Sequence, residues 1–232
     1  MKVLLTGLTG TGKTHTALKF MFNHCEKGAY LDLEGSALVE LRLFEKKLEQ
    51  EGKKRRFVYV NCRDFKEFYE VLKRAEGFVV VDALNKLTDY ARLYARELFV
   101  KEQHYYMGEK LITITNPELF DLRGWLYQVP NRFEKDVIRL FNAKKVVVAC
   151  ANTDKSQENV AKYYPEFDLV LECVKRFDEQ GVKYTCNLVK ARGLEKEVFK
   201  MIKQEKEPYE VIKHYMEVIG WADQERNITG QA

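Results

Sequence analysis

The chain has 232 residues, of which 46% are hydrophobic and 32% charged, and a formal net charge of +4. That length suits one α/β domain with a small appendage, and that apolar content excludes wholesale disorder. The mild positive charge permits a nucleic-acid partner without arguing for one, and no segment is long and apolar enough to span a bilayer as a helix.

The chain opens on a predicted strand at residues 2–6, which argues against a secretory leader and gives the cytosol as the expected location. Its apolar run Val3-Leu4-Leu5 leads into Gly7-Leu8-Thr9-Gly10-Thr11-Gly12-Lys13-Thr14, and a helical stretch follows at 15–24. The pattern G-x-x-x-x-G-K-T between a strand and a helix is a P-loop, and it implies a nucleoside triphosphate, ATP, held with Mg2+. Glycines let the backbone turn its N–H groups onto phosphate oxygens, and the helix adds its own unpaired donors. Residues Gly7 to Thr14 together with His15 are therefore the expected phosphate cradle. Lys13 is expected to reach the β- and γ-phosphates, and the Thr14 hydroxyl to hold magnesium.

A second strand at 29–33 is followed by a helix at 36–51, with Leu38, Leu41, Phe44 and Leu48 at helical spacing. The basic turn Lys53-Lys54-Arg55-Arg56 reads more readily as a solvated turn than as a nucleic-acid patch. A third strand at 57–60, an amphipathic helix at 64–75 and a fourth strand at 78–82 continue the alternation. That alternation implies a mostly parallel sheet with helices on both faces. Helices at 84–100 and 122–141 interrupt the rhythm, with no element assigned to 101–121. A strand at 146–149 precedes a loop at 152–166. Strands at 168–176 and 182–189 flank Asp178-Glu179-Gln180-Gly181, a hairpin turn. Helices at 195–203 and 208–219 and a frayed tail close the chain, with Trp221 expected to pack one of them on the core. The five cysteines, Cys25, Cys62, Cys150, Cys173 and Cys186, form no C-x-x-C pair, which argues against a zinc site, and Cys62, Cys150, Cys173 and Cys186 sit in or beside predicted strands and so read as small buried hydrophobes.

Two acids stand where a P-loop needs them. Asp82 ends the fourth strand, the Walker B form, and is a candidate for placing magnesium; the alternative is a cap on the next helix. Glu34 lies just past the second strand, where a carboxylate could take a proton from an attacking water; the alternative is a solvated loop acid.

These residues resemble the RecA/RadA/KaiC branch of P-loop ATPases over residues 1 to 193. The branch carries Y-I-D-x-E-G after its second strand, and this chain has Tyr30-Leu31-Asp32-Leu33-Glu34-Gly35. It carries a small residue after Walker B, here Ala83, a polar sensor ending the next strand, here Asn152, and K-x-R-G, here Lys190-Ala191-Arg192-Gly193. The resemblance implies a RecA-like core (1–193) with a C-terminal β-hairpin and a helical extension (194–232). It implies Glu34 as catalytic base, Asn152 as γ-phosphate sensor, and Lys190 and Arg192 as cations completing a neighbouring subunit's site in a homo-oligomer, a ring or short filament. It further implies single-stranded DNA at the loops after the Walker B helix and the sensor strand. Lys155, Lys162, Tyr163 and Tyr164 in the second loop suit such a strand, since cations track phosphates and rings stack on bases. The same tyrosines could instead pack the loop. Two rival readings remain open, a KaiC-like switch acting on protein partners and a small-molecule or nucleotide kinase.

Overall fold

The structure is a computed structural model that describes residues 1–102, 104–107, 110–113, 122–153, 160–179, 181–203 and 206–219. Its seven-stranded sheet comprises β1 (Lys2–Gly7), β2 (Gly28–Asp32), β3 (Phe57–Asn61), β4 (Phe78–Asp82), β7 (Val146–Asn152), β8 (Leu169–Asp178) and β9 (Gly181–Ala191). The order is β3-β2-β4-β7-β1-β8-β9, parallel except for the last pair, which forms an antiparallel hairpin. This is the helix-flanked, mostly parallel sheet expected of a RecA-like core. A separate two-stranded antiparallel ribbon pairs β5 (His104–Met107) with β6 (Lys110–Thr113). The sequence reading assigns no element there, although aromatic and β-branched residues around a glycine carry the signature of a hairpin.

Helices α1 (Lys13–His24), α2 (Leu38–Gln50), α3 (Phe65–Arg74), α4 (Leu87–Glu102), α5 (Leu122–Asn142), α6 (Glu195–Lys203) and α7 (Pro208–Val218) surround the sheet. α3 begins where Asp64 accepts a hydrogen bond from the Glu67 amide, an N-cap that satisfies one of the helix's unpaired donors. Its Phe65, Phe68 and Leu72 point inward at helical spacing.

Alternate residues of the buried strands feed two cores, as a doubly covered sheet requires. Val3 and Leu5 pack with Phe20, Met21 and Tyr30 on one face, while Leu4 and Leu31 pack with Phe68, Leu72 and Phe141 on the other. Each fully buried Leu or Phe contributes about 1.5–3 kcal/mol. Val211, Ile212, Tyr215 and Met216 of α7 join the first core, so the helical extension is packed into the sheet's own core. Trp221 lies outside the described residues. Among the described residues, no helix is long and apolar enough to cross a membrane.

Candidate nucleotide site

β1 lies inside the sheet between β7 and β8, and at its end the chain turns through three left-handed glycines, Gly7, Gly10 and Gly12, with φ of 131°, 79° and 83°. Gly12 caps α1. Two of these glycines differ in what surrounds them. A Cβ at Gly7 would lie 2.4 Å from the Cys173 carbonyl oxygen, whereas one at Gly10 would meet nothing within 4 Å. Gly10→Ala is therefore expected to cost only the left-handed strain, about 1 kcal/mol. Gly7→Ala adds a backbone collision and is expected to cost about 3 kcal/mol or more. Urea unfolding of the two variants checks the difference.

Lys13 is buried, and its ammonium donates to the carbonyls of Gly7 at 2.9 Å and Leu8 at 2.7 Å. Thr11 closes the loop with a bond from its hydroxyl to Leu8 O at 2.8 Å. The Thr14 hydroxyl donates to Asp82 Oδ2 at 2.8 Å, and the Tyr30 hydroxyl donates to the same oxygen at 2.7 Å. Strand order brings this about, because β4 stands one strand away from β1 and ends beside the P-loop. Among the described residues no cluster of three or more His, Cys, Asp or Glu side chains could hold a metal. The hydroxyl–carboxylate pair fits Mg2+ nonetheless, since that ion commonly takes one or two protein oxygens and draws the rest from phosphate and water. Thr14 and Asp82 would hold it, and the ion would supply charge neutralisation on the phosphate oxygens.

Burial raises the pKa of Asp82 above the ordinary aspartate value of 3.8, partly offset by the bonds from Tyr30 and Thr14. A carboxyl raised in the folded state contributes stability that is full below 3.8 and is lost as pH rises through its folded pKa. Ionising the group thus costs the nucleotide-free protein stability. Asp82→Asn is expected to raise the melting temperature at neutral pH and flatten its decline from mildly acid pH, while reducing magnesium-dependent hydrolysis. Thermal melts across that pH range check the first part.

Glu34 is placed by a turn built on Asp32. The fully buried Asp32 carboxylate accepts from the amides of Glu34 (3.0 Å), Gly35 (2.8 Å) and Ala37 (2.9 Å) and from the Tyr59 hydroxyl (2.8 Å). Glu34 Oε2 accepts from Asn152 Nδ2 at 3.4 Å, and Lys86 Nζ stands 3.7 Å from Oε1. The Asn152 amide donates to Asn85 Oδ1 at 2.9 Å. Ala83, directly after Asp82, is the one non-glycine residue described with positive φ, at 70°. It starts the turn that carries Asn85 and Lys86 toward Asn152 and Glu34.

Glycines 10 and 12, Lys13, Thr14, His15, Glu34, Asp82 and Asn152 line one cavity of about 400 Å³. The sequence reading named each of these. Tyr30 and Asp32 stood there only as letters of the motif around Glu34, with no role given, and Asn85, Lys86 and Tyr184 were not named. Asp32 alone had a local signal, an aspartate bonding to amides two and three residues on, as in an Asx-turn. The others arrive through tertiary pairing.

Lys190 and Arg192 lie apart from this cavity. Lys190 pairs with Val170, which is level with Leu4, three residues before the P-loop begins. Its ammonium donates to the carbonyls of Tyr164 and Pro165, and Arg192 pairs with Asp168 at 3.2 Å. Tyr163 is buried, and its hydroxyl donates to Glu134 at 2.9 Å. Lys162 is bound to Glu134 and Thr88. Tyr164 is half-buried in a short 3-10 turn. Lys155 and the rest of 154–159 lie outside the described residues, as do the side chains of the first expected loop.

No protein-family model matches the chain, and no curated protein matches it in sequence. Among solved structures it is similar to the flagellar accessory protein FlaH from Methanocaldococcus jannaschii, with 10% identity over 82% of this chain and 78% of the other and a TM-score of 0.49. It is also similar to the KaiC-like protein PH0186 from the hyperthermophilic archaeon Pyrococcus horikoshii, with 17% identity over 83% and 80% and a TM-score of 0.48.

Proposed function

We propose that the chain is a magnesium-dependent ATPase that hydrolyses ATP at interfaces between subunits. The observation that carries this reading is the convergence of Lys13, the Thr14–Asp82 pair and the Glu34–Asn152 pair on one cavity. Lys13 and the loop amides bind phosphate. Thr14 and Asp82 place the metal. Glu34 takes the proton of the attacking water, and Asn152 holds Glu34 and reports the γ-phosphate. Lys190 and Arg192, on another part of the surface, act on a neighbour's nucleotide. A cation supplied this way couples hydrolysis to assembly.

Single-stranded DNA is the proposed activator, in recombination, annealing or repair. The commitment of Lys162 and Tyr163 to Glu134 favours a second reading, a switch that acts on protein partners. Hydrolysis measured at several protein concentrations, with and without single-stranded DNA, separates the two. DNA stimulation supports the first; activity that rises with protein concentration alone supports the second. Arg192→Ala protein mixed with Glu34→Gln protein is expected to regain part of the activity each lacks alone. Failure to complement in demonstrably mixed oligomers would remove Arg192 from the neighbour's site.

A further inference from the structure

The P-loop, Glu34, Asp82 and Asn152 occupy one end of the cavity. The rest of its lining includes Lys19, Tyr184, Glu207, Pro208 and Tyr209, none of which serves phosphoryl transfer. Lys19 lies six residues along α1 from Lys13, roughly 9 Å at the helical rise. The cavity thus runs along the helix, away from the phosphate cradle and toward α7.

The chemistry of that end is flat and apolar with one polar edge. Tyr184 stands between the two ends, its ring against the P-loop backbone, so close that a Cβ at Gly12 would stand 3.0 Å from it. Pro208 and Tyr209 add further apolar surface where α7 starts. Tyr209 is held in place by a 3.1 Å bond between its hydroxyl and His24 Nε2 and by Lys19, whose ammonium stands 4.6 Å from the ring centre. Lys19 also donates to Glu207 Oε2 at 3.0 Å. Glu207 Oε1 accepts no hydrogen bond among the described residues, and its side chain is half exposed at the rim of the cavity.

We infer that this end of the cavity takes the purine base of the nucleotide, and that Glu207 selects adenine by accepting from its exocyclic amine. The inference rests on the nucleotide-binding reading above and adds to it a specificity determinant in the helical extension. A carboxylate fixed by Lys19 offers acceptors and no donor. It favours a base that presents an amine at that edge and disfavours one that presents a carbonyl oxygen there. Tyr184 and Pro208 supply surfaces on which any purine ring packs, so discrimination falls to Glu207.

The test is direct binding, by calorimetry with magnesium, of ATP, ITP and 2′-deoxy-ATP to the full chain and to its Glu207→Gln and Glu207→Ala variants. ITP replaces the amine with a carbonyl oxygen; 2′-deoxy-ATP alters only the sugar. The wild type is expected to prefer ATP to ITP by about tenfold or more, the size of one hydrogen bond to a charged group. Glu207→Gln, whose amide both donates and accepts, is expected to reduce that ratio to near unity, and Glu207→Ala to lower ATP affinity by about tenfold. Glu207 is exposed, so thermal melts should show both variants folded. An unchanged ATP-to-ITP ratio in Glu207→Gln overturns the inference while leaving nucleotide binding intact. A shift in the ATP-to-deoxy-ATP ratio instead assigns Glu207 to the ribose and equally overturns it. Absence of binding to any triphosphate overturns the nucleotide reading itself, and this inference with it.

Discussion

Glu34→Gln protein is expected to bind ATP as the wild type does and to hydrolyse it about 100- to 10,000-fold more slowly, the range for loss of a positioned general base. The substitution preserves shape, and a side-chain oxygen remains to accept from Asn152 Nδ2. What disappears is the ability to take a proton. Binding should therefore persist while turnover falls, the signature of an interaction made only in the transition state. Single-turnover hydrolysis together with equilibrium ATP binding makes the measurement. Equal turnover in variant and wild type would remove Glu34 as the base and move attention to a water held by other groups.

Replacing Asp32 is expected to have the largest effect on stability in this region. Its carboxylate, wholly shielded from solvent, satisfies three backbone amides and the Tyr59 hydroxyl at once. Asp32→Ala deprives all four donors of their acceptor. Hydrogen bonds to charged groups contribute about 1.5–3 kcal/mol each, and they do not add fully. A loss of about 4 kcal/mol is expected, or roughly 10 °C in melting temperature for a domain of this size. Asp32→Asn keeps one oxygen and is expected to lose about half as much. Both variants should also turn over ATP more slowly, because the turn that aims Glu34 is no longer pinned. Calorimetric melting and steady-state kinetics test the two effects separately. A Asp32→Ala protein that melts with the wild type would show that the turn is held by something other than this carboxylate.

The contrast between Glu34 and Asp32 shows what the chain discloses in one dimension. Residues that the structure gathers around one cavity were legible from their spacing: the P-loop, Asp82 ending an apolar strand, Glu34 after the second strand. So were the elements with a clear period, such as α3 and the buried strands, and the turn between β8 and β9. The β5–β6 ribbon was not, because it lies between two long helices that carried the stronger signal. Asn85 and Lys86 owe their place to Ala83, whose left-handed backbone no pattern announces. Tyr184 reaches the P-loop only because β9 folds back along β8. Lys162 and Tyr163 read as cation and ring available to a nucleic acid. Their partner Glu134 sits on a helix nearly thirty residues earlier in the chain, which no local pattern could supply.

The position of β1 has a consequence for how the protein comes to exist. Among the strands of the large sheet it pairs only with β7 and β8, which begin at Val146 and Leu169. On a ribosome adding about 5–20 residues per second, roughly 7–28 s of synthesis separates the strand from its first neighbour. Through that interval a strongly apolar segment, Val3-Leu4-Leu5, has neither edge covered, while β2, β3 and β4 can already pair with one another. A nascent chain paused before Val146 is therefore a partial sheet with an orphaned strand, the kind of species that invites aggregation and chaperone capture. The segment proposed to cradle phosphate is thus made well before the strands that flank it, and it can become a binding site only once β7 and β8 have followed.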